Sequence, residues 1–266
     1  MSRALEDVLF GDLSHKAQAV TRAVSVTAAA ALLVLVAGIV YRFHAAGQFE
    51  GRLWEFFAWQ TTWAFLGKGM LGTLASAAAA AAIALVLGLV LLVGRLSRLR
   101  LVRWPAVAVI EFLRGVPTLL LIYVCFLVLP SAGIKLSAYW MLTLPVGLST
   151  AAVVAEVYRA GVLAVRRGQT EAARALGLTE AQVFAHVVFP QALRYIVPAL
   201  VAQLVIVVKD TTFGYVVTYG ELMQNARVRI ANYRSLVPVY LAIGVLYCLV
   251  NYAISRASRR LGRKMD

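Results

Sequence analysis

Eight ionisable or hydroxyl side chains interrupt otherwise apolar stretches: Glu111, Arg114, Glu156, Arg159, Lys209, Asp210, Thr211 and Thr212. An ionised group at membrane depth is costly and is kept where it is paired or functional. Glu111 and Arg114, in EFLRGVP, are three residues apart and share a helix face, so they can pair; Glu156 and Arg159, in AEVYRAG, repeat that spacing. The same spacing also suits an interfacial ion pair or a snorkelling charge with a purely structural role. Lys209 and Asp210 are adjacent, point about 100° apart on a helix, and need separate partners or a local break. Thr211, Thr212 and Gly214 follow and favour irregular backbone, which is tolerated at membrane depth only where it lines protein or a wet cavity.

The chemistry within reach of this set is the binding of opposite charges. Arg114 and Lys209 can draw a carboxylate; Glu111, Glu156 or Asp210 can hold an ammonium group, with Thr211 and Thr212 beside the break. These are the substrate-path candidates. Covalent chemistry has no support, since there is no Ser-His-Asp set, phosphate-binding glycine loop or metal box, and His15, His44 and His186 are scattered. Cys125 and Cys248 lie in apolar runs without ligand spacing and read as small hydrophobes. No catalytic residue, metal ligand or cofactor is therefore expected in this chain.

The elements that must hold these groups are membrane helices. Hydrophobic residues make up 62% of the chain and charged ones 14%, against roughly 25% charged in soluble domains. The apolar residues fall into blocks of spanning length: Val24–Tyr41, Gly69–Gly94, Gly115–Ile134, Leu136–Ala155 and Ser235–Ser255, of 18 to 26 residues each. Tyr195–Gly220, interrupted by Lys209 and Asp210, is a sixth. The sequence thus predicts an all-α polytopic membrane protein with six spans, and with proline kinks available at Pro117, Pro145 and Pro198. The first apolar run is longer than a signal-peptide core and follows about 22 polar residues, so a retained anchor is expected.

Alternate loops divide the basic residues 17 to 7, with Arg114 and Lys209 left within or at the edge of spans. The positive-inside rule then places both termini in the cytoplasm. The formal charge of +14 is explained by topology and anionic lipid, and nucleic acid is not needed as a partner. On that topology Gly51–Lys68, rich in Trp and Phe, is extracytoplasmic and suits an interfacial helix or a protein contact.

One cytoplasmic segment looks soluble. In Gln169–Pro190, QTEAARALGLTEAQVFAHVVFP, Thr170 is expected to cap a helix with Glu171 in its first turn, and Gly177 to end it. Thr179 and Gln182 have capping-box spacing for a second short helix that should stop at Pro190. Ala173, Gly177 and Val183 also fit a DNA-binding helix-turn-helix, but Glu180–Phe189 carries no Lys or Arg to hold phosphate or read guanine.

The same hairpin resembles the EAA loop of ABC importer permeases: Glu171-Ala172-Ala173, then Gly177, then Val187-Val188-Phe189-Pro190 meet the family spacing, with Val for Ile and Phe for Leu. Flanking blocks extend the resemblance to permeases for polar amino acids from about Gly69 to Ser255: GKGMLGTL, EFLRGVPTLL, AEVYRAGV, GQTEAARALG, FPQALRYIVPAL and VVKDTTFGY with Glu221 beyond. Ala152 to Val154 replace a frequent aromatic, and Thr replaces a frequent Ser after KD. The extra N-terminal span, QFEGRLWEFF and KDTTFGYVVTYGE are most similar to permeases of actinobacterial glutamate uptake systems.

The resemblance implies residues 1–68 as an N-terminal span with flanks, 69–255 as a five-span importer core with a coupling loop at 166–194, and 256–266 as a basic cytoplasmic tail. It implies that Glu171, Ala172, Ala173, Gly177 and Pro190 couple to an ABC ATPase dimer, with Glu171 meeting donor groups and the two alanines keeping the surface small. ATP and Mg are expected on that ATPase. A second permease subunit, identical or not, an extracytoplasmic amino-acid-binding protein and the bilayer of a bacterial inner or plasma membrane complete the expected partners. Glutamate is the implied solute, with glutamine, arginine or histidine as alternatives; an ion-coupled secondary transporter or a membrane-anchored DNA-binding regulator are the readings from other classes.

Overall fold

The computed structural model describes residues 15–262, and side chains of residues 17–257. The expected cytoplasmic start of the chain and the end of the basic tail lie outside the described residues. The chain falls into two compact units, divided between Leu53 and Trp54.

The first unit holds α1 (His15–Ala45), an apolar helix exposed along nearly its whole length and long enough to cross a membrane, then a turn at Gly47 and one 3-10 turn, Gly51–Leu53. The second unit opens with another 3-10 turn, Glu55–Ala58. Of the segment expected to be interfacial, Gly51–Lys68, residues 51–58 form these two short turns and residues 60–68 begin the next α-helix. After them come α2 (Gln60–Leu96), α3 (Arg100–Gly115), α4 (Thr118–Ser131), α5 (Ala138–Leu163), α6 (Arg167–Ala175), α7 (Glu180–Val183), α8 (Phe189–Asp210), α9 (Leu222–Tyr233) and α10 (Leu236–Gly262). Among the described residues, five helical runs are long and apolar enough to cross a membrane.

The expected span Gly115–Ile134 takes a different form. Only α4 forms within it, and α4 meets α3 at a bend of 99°, where Pro117, outside any helix, denies an N–H to the backbone. By contrast Pro145 and Pro198 sit inside continuous helices. In α4 and again between α7 and α8 a five-residue π turn, Val124–Val128 and Phe184–Val188, comes just before a proline, Pro130 or Pro190. The wider turn gives the proline ring room that a regular helix lacks. That is why Pro190 does not stop the second arm of the hairpin: the helical run continues from Glu180 to Val217.

The core is built on α2 and α5, which run parallel. Tyr139 meets Ala75 at one end, Gly147 meets Ala80 and Ile83, Gly88 meets Ala151 and Val154, and Arg95 meets Glu156 at the other end. The register is tight because small residues let the backbones approach, as in membrane helix pairs generally. A Cβ on Gly88 would lie 2.7 Å from Val154 Cγ1, and one on Gly147 would lie 2.9 Å from Ile83 Cγ2. Two parallel helices need a return between them, which α3 and α4 supply. The C-terminal ends of α2 and α5 therefore share one end of the unit with the hairpin that follows α5.

Candidate coupling hairpin and charged clusters

The hairpin begins as Val165, 8% exposed, enters a small apolar core of its own, made with Ala173, Val183, Val188, Ala192 and Ile196 and backed by Val157, Tyr158 and Val162 of α5. With Val165 anchored, α6 starts at Arg167, so Thr170 lies inside the helix and is not its cap, and Glu171 falls beyond the first turn. Gly177 ends α6 at φ +79°, a left-handed conformation that a side chain disfavours, and a Cβ there would meet nothing within 4 Å. The Thr179–Gln182 capping box forms as expected: Thr179 accepts from Gln182 N at 3.4 Å, and Gln182 Oε1 accepts from Thr179 N at 2.9 Å.

Ala173 is 4% exposed and packs inward, so of the two alanines only Ala172 contributes to the outer surface. Beside Ala172, that surface carries Glu171, Gly177 and Leu176, which is 82% exposed. Pro190 is exposed on the second arm. Glu171 makes no ion pair among the described residues. Two features were not read from the sequence. Leu176 is one. The other is the brace between arms, where Arg174 Nε and Nη2 donate to the two Glu180 oxygens at 2.7 and 3.0 Å. The Glu180 carboxylate holds the Arg174 guanidinium above its ordinary pKa through that hydrogen bond and its charge. A spacing of six residues across a glycine turn was the available signal for it.

Of the substrate-path candidates, the structure gathers three. Arg114 Nη1 lies 3.6 Å from Glu111 Oε1, and Arg159 Nη2 lies 2.9 Å from Glu156 Oε2, as the spacing predicts. Arg95, counted in the sequence only as a loop charge, joins the pairs: its Nη1 lies 3.6 Å from Glu111 and binds Glu156 Oε1 directly. The result is one network across α2, α3 and α5. No spacing within a single helix could have revealed it.

Lys209, Asp210, Thr211 and Thr212 lie apart from that network. The helix does break there, into a 3-10 segment, Thr211–Val217. Both threonine hydroxyls turn back to their own chain, Thr211 donating to Val208 O at 2.8 Å and Thr212 to Lys209 O at 2.6 Å. Lys209 is exposed and Asp210 half-buried, and neither forms an ion pair among the described residues.

At the other end of α2 stands Glu221, fully buried, which caps α9 by accepting from Gln224 N at 2.6 Å and Met223 N at 2.7 Å. Tyr247 of α10 donates to the same carboxylate at 3.1 Å, while Leu222 N donates to Thr73 Oγ1 of α2 at 3.1 Å. Burial pushes the Glu221 carboxyl up to about 7, against these hydrogen bonds, which favour the charged form. Farther along α9, Arg229 lies over the Tyr233 ring at 3.9 Å and Phe56 at 4.6 Å and donates to Thr62 at 2.8 Å, tying the aromatic segment to α2 and α9.

Comparison with known proteins places this arrangement in context. The pattern of the family described as "Binding-protein-dependent transport system inner membrane component" matches residues 84–266. The "Probable glutamine ABC transporter permease protein GlnP" of Bacillus subtilis is 33% identical over 201 residues, covering 74% of this chain and 92% of its own. The "Glutamate transport system permease protein GluD" of Corynebacterium glutamicum is 29% identical over 226 residues, 82% of each chain. Among solved structures, "Crystal structure of an amino acid ABC transporter with histidines" superposes with a TM-score of 0.75 at 26% identity, covering 79% of this chain and 98% of the other.

Proposed function

The chain belongs to the binding-protein-dependent transport system inner membrane component family, and from that premise we propose that it is the permease of an ATP-driven glutamate importer. Its coarser role, permease subunit of an ABC importer for amino acids, rests on the family and the relatives just described. The observation that carries the mechanism is the hairpin. It has an outer face of Glu171, Ala172, Leu176 and Gly177 that is exposed among the described residues, on an apolar core of its own.

An ATPase subunit docks on that face from the cytoplasm, binds ATP and Mg, and hydrolyses ATP; this chain does no chemistry. Two permease subunits face each other across the path, and an extracytoplasmic binding protein delivers the solute. Closure of the ATPase pair moves the hairpins and shifts the permeases between inward-facing and outward-facing states, driven by contacts that differ between the two. Both termini lie in the cytoplasm on this reading.

Glutamate is favoured by the reach of the similarity to the Corynebacterium glutamate permease, over 226 residues against 201 for the glutamine permease, and by Lys209, an exposed cation at the break in the helical run. The test is labelled glutamate uptake by proteoliposomes holding the chain with its ATPase, sister permease and binding protein, in competition with glutamine, aspartate, arginine and histidine. Inhibition by aspartate alone supports glutamate. Transport of glutamine, arginine or histidine in its place keeps the importer and discards that solute.

A further inference from the structure

The last two turns of α5 carry two different contacts on two faces. Val157, Tyr158 and Val162 pack into the apolar core of the hairpin, while Glu156 and Arg159 enter the charged network. In that network one guanidinium, Arg95 at the end of α2, reaches Glu156 of α5 and Glu111 of α3, and each carboxylate is held in turn by a second arginine, Arg159 or Arg114. The Arg95 and Glu156 side chains are only 23% and 18% exposed, so solvent screens the central pair poorly.

We propose that Arg95 is a positioning residue of the transport cycle: a clamp that passes displacement of the hairpin, carried by the end of α5, on to α2 and α3. A rigid helix end with an apolar contact on one face and a fixed charge contact on the other cannot move without pulling on both. The clamp has two carboxylates within reach, so Arg95 can favour Glu156 or Glu111 as α5 shifts, which gives the network two discrete arrangements for the hairpin to bias. Both contacts fall on one nitrogen, Arg95 Nη1, which can lean toward either carboxylate while the charge stays delocalised over the guanidinium. This proposal rests on the coupling role given to the hairpin above.

Amino-acid uptake and ATP hydrolysis are measured together in proteoliposomes holding the full complex, for the unaltered chain and for Arg95→Gln, Arg95→Lys, Arg159→Gln and Gly177→Arg. The clamp predicts that Arg95→Gln assembles and hydrolyses ATP while uptake per ATP falls about threefold or more. Arg95→Lys restores part of the loss, and Arg159→Gln, which leaves Arg95 in place, gives a smaller fall in the same direction. An unchanged ratio in Arg95→Gln and Arg159→Gln overturns the clamp. If Arg95→Gln does not assemble, Arg159→Gln decides alone, and an unchanged ratio in it has the same meaning. Gly177→Arg separates the two ideas: a normal ratio in that variant overturns the coupling role of the hairpin, whereas a fall there beside normal Arg95 and Arg159 variants removes only the clamp.

Discussion

Ala172 and Ala173 are adjacent in sequence and do opposite work. Ala173 fills the hairpin core, so Ala173→Leu overpacks it and should destabilise the hairpin by about 1–3 kcal/mol, seen as faster proteolytic cutting of the loop in the purified chain. Ala172 is exposed, so Ala172→Leu should leave proteolysis unchanged and weaken ATPase binding in a pull-down. Equal effects of the two substitutions on cutting would contradict this assignment. Gly177 offers a second contrast. No atom of the described residues blocks a side chain there, so only the left-handed backbone resists one. Gly177→Val should cost roughly 1–2 kcal/mol in hairpin stability, and Gly177→Asn, which tolerates that backbone, much less. Both should impair uptake if the outer face enters a close-fitting cleft, so normal uptake by the asparagine variant would speak against docking at this turn.

Helix ends and helix pairs decide more of this molecule than helix centres do. Glu221 caps α9 and also meets α10, and its titration should be visible in stability. Its ordinary value is 4.5 and the folded one about 7, so between those pH values the folded chain holds an extra proton. The stability from this group is greatest below pH 4.5 and is lost as pH rises to 7. The thermal midpoint in detergent should fall across that window, and Glu221→Gln should flatten the fall; an unchanged slope in the variant would count against a protonated Glu221.

At this scale the sequence was legible where a local pattern sufficed. Five of the six apolar blocks, Gly177, the capping box and the two i,i+3 ion pairs formed as their spacing requires. It misled where a longer-range contact or a backbone adjustment overrode the pattern. Burial of Val165 began α6 before Thr170, a π turn carried the helical run through Pro190, and the break at Pro117 left one expected span as α4, set at 99° to α3. The role of Arg95 depends on three helices meeting and has no local signature.

For the whole molecule, the parallel pair α2 and α5 sets one end for the hairpin and the Arg95 network, and the other for Glu221 and α9. An importer driven from the hairpin end needs this division, with the energy source engaging one end and the solute arriving at the other. A carrier running on an ion gradient would have no use for a hairpin whose outer face is left open. The measurement that separates them most directly is amino-acid uptake by proteoliposomes of the reconstituted complex, with ATP enclosed and no ion gradient, against an imposed ion gradient and no ATP. Uptake should occur with ATP alone and be absent with the gradient alone. Uptake that follows the gradient and ignores ATP would contradict the assignment of this chain as the permease of an ATP-driven importer.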